Sequence, residues 1–255
     1  MTTSQDIKPR TLILGTSYVG EGAQGYGAKL VTLWARLAQH LNPDTDILIV
    51  DSASPTPPRD FLEPYGFQRW TGRENRKYSI YEFADNIGHL NTTRRDGWGR
   101  ALCRGIEIAI EHEYDFIAYK DVDIVFTRPV APIVDRLARH GIAAACPMDP
   151  IYQFLENGLM FLDVAYLRKS RFVERYDWPN RGNEPLTPGS IPEVIFERLI
   201  GDELFILPLR GLRNDLDRVT VNNLAHAFPY GIDYLTHCKD FSIYERLLQM
   251  KGIAL

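Results

Sequence analysis

Residues 97–126 read GWGRALCRGIEIAIEHEYDFIAYKDVDIVF, and the order of residue types in this stretch decides how the chain is built. Trp98, Ala101, Leu102, Gly105, Ile106, Ala109 and Ile110 recur at i, i+3, i+4, i+7, i+8, i+11 and i+12, which is one apolar face of a helix starting near Asp96. Asp115 to Tyr119 follows as a short apolar run, expected to be a central strand. At its end the chain delivers two carboxylates separated by one residue, Asp121 and Asp123, before turning apolar again at Ile124-Val125-Phe126.

The same alternation extends in both directions. Thr11 to Gly15 is a plausible buried strand, followed by a loop carrying Gly20, Gly22, Gly25 and Gly27 and by a helix expected over Ala28 to His40. Asp46 to Asp51 is a second buried strand with an aspartate at its end, and the prolines of Ser52 to Pro58 force a loop. Phe67 to Trp70 is a candidate third strand; the rest of Phe61 to Asn91 reads as polar connection with aromatic anchors. Pro129 is expected to open a helix running to Arg139, with further strands at Ile142 to Cys146 and Leu159 to Leu162. Beyond Asp163 the pattern is helix-rich and irregular, and the Pro/Gly-rich segment Asn180 to Pro192 is a candidate lid. Strands alternating with helices predict an α/β fold: one domain over residues 1–255, Rossmann-like, with a mostly parallel central sheet flanked by helices and an elaborated C-terminal third.

Composition excludes several classes. A formal net charge of -4 argues against a general nucleic-acid binder. Cys103, Cys146 and Cys238 are too few and too scattered for a disulfide framework or a cysteine-rich zinc site, which suits a reducing compartment. Met1 to Arg10 lacks the apolar stretch of a secretory signal, and no window approaches the roughly 18 apolar residues of a membrane span. A cytoplasmic protein is expected, one that meets any lipid-linked partner peripherally.

In open α/β sheets, ligands bind at the carboxyl edge of the strands, where Asp121 and Asp123 fall. Two hard oxygen donors there suit Mg²⁺ or Mn²⁺ bridging to phosphate oxygens, a Lewis-acid arrangement for a diphosphate leaving group. The bland alternative for Asp-x-Asp is a solvated turn. Residues 97–126 also resemble the corresponding region of the GT-A-fold glycosyltransferases, in which a helix precedes a strand ending in Asp-x-Asp. Three later blocks agree in the same order. Glu156-Asn157-Gly158-Leu159-Met160-Phe161 resembles the family's asparagine-glycine segment facing the donor sugar. Gly201-Asp202-Glu203-Leu204-Phe205 resembles an acidic pair opening a helix beneath the sugar and acceptor. Leu235-Thr236-His237-Cys238-Lys239 resembles the late histidine of the metal shell.

The resemblance implies a metal-dependent transfer of sugar from a nucleoside diphosphate sugar, a UDP-sugar above others, to a glycan, lipid-linked or small-molecule acceptor. Residues 11–126 would be the nucleotide-binding half and 127–240 the sugar and acceptor half. It further implies Asp121, Asp123 and His237 as metal ligands, Asp121 shared with the ribose, and Asn157, Asp202 and Glu203 around the sugar. Ala101-Leu102-Cys103 stands where some inverting members carry Ala-Arg-Asn, and the segment after His237 lacks the Gly and Lys-Pro-Trp of one retaining group. Neither inversion nor retention is therefore implied.

Each candidate has a plainer alternative. Asp51 can accept hydrogen bonds from a base or ribose, or cap a loop. Thr16 and Ser17 can offer backbone groups to a base, and Arg100 can reach the base or diphosphate. His237 can be a structural histidine, with His226 the competing ligand. Asp202 fits a helix N-cap as well as a catalytic role. Glu193, the third available acid, fits dipole compensation in a helical first turn. Tyr176, Trp178, Phe228 and Tyr230 can stack on a sugar or pack in the core.

A dinucleotide-dependent oxidoreductase would show Gly-x-Gly-x-x-Gly after the first strand, and the glycines here do not make that pattern. The same absence weakens a methyltransferase, and the arginine-containing glycine-rich loop of a sugar-phosphate nucleotidyltransferase is missing. A non-catalytic sugar-, nucleotide- or partner-binding relative of the same fold stands as the rival from another class.

Overall fold

In the computed structural model, residues 8–20, 24–72, 77–88, 95–149, 155–181, 192–213, 233–236, 241–250 and 252 are described. Strand β1 (Thr11–Ser17) runs through the middle of the molecule, buried from Leu12 to Ser17. Its side chains alternate between two apolar layers, Ile13 packing with Trp34 and Leu33 on one face and Leu12 and Leu14 with Leu102 and Ile106 on the other. That alternation is the period-two geometry of a strand buried on both faces.

Helix α1 (Gln24–Leu41) lies on the first face, and β2 (Asp46–Asp51) returns parallel to β1. A short helix α2 (Arg59–Leu62) leads to β3 (Gln68–Arg69) and β4 (Tyr78–Glu82). Helix α3 (Gly97–Glu111) covers the second face, its first turn capped by Asp96, which accepts a hydrogen bond from the Gly99 amide at 2.7 Å. Strand β5 (Phe116–Lys120) then pairs with β1 on the side opposite β2. Next come β6 (Val125–Phe126), α4 (Ala131–His140), β7 (Ala144–Cys146), β8 (Leu159–Asp163), α5 (Val164–Lys169) and α6 (Phe172–Tyr176). The last described elements are α7 (Pro192–Ile200), β9 (Leu204–Ile206), β10 (Gly211–Arg213), β11 (Tyr234–Thr236) and α8 (Phe241–Met250).

Eight strands form one sheet in the order β3-β4-β2-β1-β5-β8-β7-β9. All its pairings are parallel except those of β8, which runs antiparallel between β5 and β7. A second sheet, β10-β11-β6, is formed by three short strands. The mostly parallel sheet with helices on both faces is the architecture expected from the alternating pattern. Among the described residues no helix is long and apolar enough to cross a membrane. Cys103 and Cys146 are buried free thiols; Cys238 lies outside the described residues.

The fold departs from the expected pattern in several places; α1 already begins at Gln24, so Gly25 and Gly27 lie in the helix and not in the loop before it. Strand β1 continues through Thr16 and Ser17, so both side chains project from the sheet edge instead of from a loop. The polar connection expected between Phe61 and Asn91 contains β4, whose Ser79 and Ile80 are buried by pairing with β2. Only Ile80 in that strand is aliphatic, so its burial is a consequence of tertiary pairing that periodicity alone cannot reveal. The pair Asp202-Glu203, expected to open a helix, instead follows one: α7 ends at Ile200, Gly201 takes a left-handed φ of 62°, and a short 3-10 turn feeds β9.

Close approaches fix α1 and α3 against β1. A Cβ at Gly15 would stand 2.7 and 2.8 Å from the buried Trp34 ring, and one at Gly105 would collide with the Leu14 side chain. Gly15→Ala is therefore expected to lower stability by about 1–3 kcal/mol, the usual cost of overpacking a rigid core. Denaturant midpoints check this, and Trp34→Phe in the same chain should recover part of the loss.

Candidate active site

The chain leaves β1 for β2 on one flank, and after β5 it goes on through β6 to supply β7 and β8 on the other, so the crevice at the carboxyl ends of β1 and β5 is the topological switch point of the sheet. Thr16 lies at the end of one strand and Asp121 follows the other. Their side chains meet across the crevice: Thr16 Oγ1 donates to Asp121 Oδ1 at 2.8 Å, and Tyr119 donates its hydroxyl to the same oxygen. Tyr119 in turn accepts from Trp98 Nε1 at 2.7 Å, and the two rings meet edge to face. Burial and the Asp121 charge push the Tyr119 hydroxyl well above its ordinary range, so it remains a donor. Asp121 Oδ2 accepts no hydrogen bond among the described residues.

The Asp121-Val122-Asp123 turn is held from several sides. The Asp121 amide donates to the Gly158 carbonyl at 2.8 Å, and the Ile124 amide returns to the Asp121 carbonyl at 3.0 Å. Asp123 is half-buried. Desolvation, then the neighbouring Asp123 charge and, further off, Glu156, raise Asp121 above the carboxylate range; the Tyr119 and Thr16 hydrogen bonds oppose this. Closely spaced carboxylates that are costly to ionise together are what a divalent cation relieves, and an all-oxygen pair suits a hard one. The residues present thus fit Mg²⁺ or Mn²⁺. Among the described residues no group of three or more His, Cys, Asp or Glu side chains assembles a metal site, and His237 and His226 lie outside them.

The remaining candidates separate into those brought to this edge and those kept from it. Asn157 is half-buried in the turn before β8, one residue before Gly158, whose carbonyl accepts from the Asp121 amide. Asp51 reaches the edge but is committed to structure. Only 1% exposed, it accepts from Ser17 Oγ at 2.8 Å and Ser54 Oγ at 2.5 Å through Oδ1 and from the Ser54 amide at 2.8 Å through Oδ2. It is a loop anchor, and Ser17's hydroxyl is committed with it. Burial raises the Asp51 carboxyl, and these hydrogen bonds work against that. Arg100, likewise buried, grips the Asp85 side chain at 3.1 Å and the Asp85 carbonyl, with its guanidinium 3.8 Å from the centre of the Phe83 ring. It braces the wall of the crevice.

Asp202 and Glu203 are at the opposite edge. Leu204 pairs with Ala144, Ala144 with Leu162, and Leu162 with Ile117, three residues before Lys120 on β5. At about 3.3 Å per residue, Leu204 lies roughly 10 Å below the carboxyl edge, and the exposed Asp202 and Glu203 precede it. They do not share a site with Asp121. Helix α7 comes before them, and the Ile200 carbonyl at its end accepts from Tyr166 on α5 at 3.2 Å. Glu193 belongs to the first turn of that helix, at the end away from Ile200. Tyr176 is 1% exposed and donates to Asp96, so it is core; Trp178 is half-buried beside Arg100. Phe228, Tyr230 and residues 182–191 of the expected lid lie outside the described residues.

Beside Thr16 opens a cleft of about 370 Å³ lined by Thr16, Ser17, Tyr18, Ser52, Asn86 and Trp98, among others. Tyr18 stands 52% exposed at this cleft. Tyr18, Asn86 and Tyr119 were not among the residues expected at the site. An aromatic residue directly after a buried strand was the available signal for the first; nothing in the sequence singles out the others.

No family model matches the chain, and no curated protein matches it. Solved structures do. The chain is similar to an active-site mutant of the galactosyltransferase LgtC, with a TM-score of 0.57 and 11% identity, covering 94% of this chain and 95% of that one. It is similar to the glycosyltransferase GlyE of Streptococcus pneumoniae TIGR4 at a TM-score of 0.54 and 10% identity, covering 96% of this chain and 64% of that one. It is also similar to the mannosyltransferase PcManGT of Pyrobaculum calidifontis, solved with GDP-Man and Mn²⁺, at a TM-score of 0.50 and 13% identity, covering 80% and 56%. The chain has the fold of the GT-A glycosyltransferases.

The raised Asp121 carboxyl has a consequence for stability. The folded state holds this proton more tightly than the unfolded state, so the metal-free protein loses stability as pH rises from about 4, and the loss persists above the raised value. At pH 8 without metal, Asp121→Asn is expected to be more stable than the parent by at least about 1.4 kcal/mol, one pKa unit's worth. The two should converge near pH 4 in denaturant titrations, about the ordinary carboxylate value.

Proposed function

We propose that this chain is a glycosyltransferase that uses Mn²⁺ or Mg²⁺ to move a sugar from a nucleoside diphosphate sugar, in first place a UDP-sugar, to a hydroxyl acceptor such as a growing glycan. The observation that carries this reading is Asp121 at the switch point, oriented by Thr16 and Tyr119 through one oxygen, with no hydrogen bond to the other among the described residues. A solvated turn would need no such support. The GDP-Man and Mn²⁺ held by the Pyrobaculum mannosyltransferase support a nucleoside diphosphate sugar with a divalent cation as the ligand pair.

Asp123 and Asp121 would hold the cation, with Asp121 shared toward the ribose. The bound cation would supply Lewis-acid neutralisation of the departing diphosphate. His237 is the proposed third ligand; Thr236, the residue before it, ends β11 on the path that pairs Leu235 with Val125 and leads back toward Asp123. The cleft beside Thr16 would take the nucleoside, with Tyr18 stacking on the base. Asn157 would face the sugar. For the carboxylate near the reacting carbon, Glu193 is preferred to Asp202 and Glu203, which lie at the opposite edge of the sheet. The acceptor, lipid-linked or soluble, would meet the protein from outside any bilayer.

Calorimetric titration with UDP and with GDP, each with and without Mn²⁺, tests the donor site. One nucleotide should bind in a metal-dependent way, and Asp123→Ala should lose that binding; binding of neither would sink the proposal. For turnover with the matching nucleotide sugar, Glu193→Gln should cost about 10²-fold or more, the scale of losing a group that acts on the transition state. Asp202→Asn should leave kcat within about twofold, as surface substitutions away from a site do.

A further inference from the structure

The last described helix reaches the turn between the two aspartates. Tyr244 of α8 is fully buried, and its hydroxyl donates to the Val122 carbonyl at 2.8 Å across 122 residues of sequence. Val122 is the central residue of Asp121-Val122-Asp123, so this bond fixes the peptide that separates the two candidate ligands. The helix itself is seated by Ile243, Leu247 and Leu248 in the core layer beneath α1, and by a Lys29–Glu245 ion pair at 2.5 Å. On the other side of the turn, Val125 and Phe126 pair with Leu235 and Tyr234 of β11. The turn is therefore gripped on both flanks by the C-terminal third of the chain.

We infer that Tyr244 is a positioning residue for cation binding: it holds the Val122 carbonyl so that the Asp121 and Asp123 carboxylates converge, and through it the C-terminal helix and the cation site are coupled. The inference rests on the reading of Asp121 and Asp123 as metal ligands. Without the hydroxyl, the Val122 peptide can rotate, and the carboxylates on either side lose their mutual aim. Coupling of this kind is reciprocal, so the cation must also stabilise the docked helix.

Tyr244→Phe keeps the ring in the core and removes the hydrogen bond to Val122. The free Mn²⁺ signal in electron paramagnetic resonance, titrated with UDP present and again with GDP, reads the cation affinity. The variant should bind Mn²⁺ about three- to tenfold more weakly, the worth of one hydrogen bond. Leu248→Ala on the same helix costs core packing and does not touch the Val122 bond; it should leave Mn²⁺ affinity within about twofold while lowering the melting temperature more, as a cavity in the core does. Hydrogen exchange of amides 243–248 should slow on adding Mn²⁺ in the parent and not in Tyr244→Phe. Equal affinity in the parent and Tyr244→Phe, or an equal loss in Leu248→Ala, overturns the inference while the metal reading stands. A parent that binds no Mn²⁺ with UDP or GDP overturns the metal reading itself.

Discussion

Everything at the candidate site depends on placing one carboxylate, Asp121, at the end of a fully buried strand and still leaving it able to act. Burial alone would favour its neutral form, and a second carboxylate two residues on makes ionisation harder. The fold answers with oriented hydroxyls from two directions, Thr16 from the neighbouring strand and Tyr119 from its own, the latter backed by Trp98 on α3. Three elements that meet only in the folded chain thus define one oxygen's surroundings. Among the described residues, the other oxygen accepts no hydrogen bond.

Close packing keeps those hydroxyls in place. Gly15 and Gly105 let α1 and α3 press onto opposite faces of β1, so the strand that carries Thr16 has little freedom to shift. Its neighbour β5 carries Lys120, a fully buried lysine lowered to about 8 by desolvation, immediately before the acidic turn. Its charge faces the Trp34 ring at 5.3 Å on the α1 side, while Tyr119 faces the α3 side. Successive strand residues therefore send a cation and a phenol to opposite faces, and only the phenol reaches Asp121.

Long-range pairing also redistributes roles among residues that look alike in the chain. Asp51 and Asp121 both stand at the ends of buried strands on the same sheet edge. Asp51 accepts through both oxygens from Ser17 and Ser54 and anchors loops; Asp121 accepts, among the described residues, through one oxygen from Thr16 and Tyr119. Asp202-Glu203 and Glu193 are acids near opposite ends of α7. The parallel pairing of β9 with β7 sends the pair to the far edge, and the single glutamate lies at the other end of the helix.

Local periodicity and residue chemistry were enough to reveal the helix of residues 97–111, the apolar strands around it, the mostly parallel α/β class and the position of Asp121 and Asp123 at a strand's carboxyl end. These are properties of neighbours along the chain, where the spacing of apolar residues sets which face is buried. Folding had to decide that β4 is a strand, that Asp51 and Arg100 are committed to other side chains, that Tyr119 and Thr16 share Asp121, and that Tyr244 reaches Val122. Each of these depends on contacts between distant residues, or on which edge of the sheet a helix or strand begins. No pattern along the chain carries that information, because direction and edge are properties of the assembled sheet.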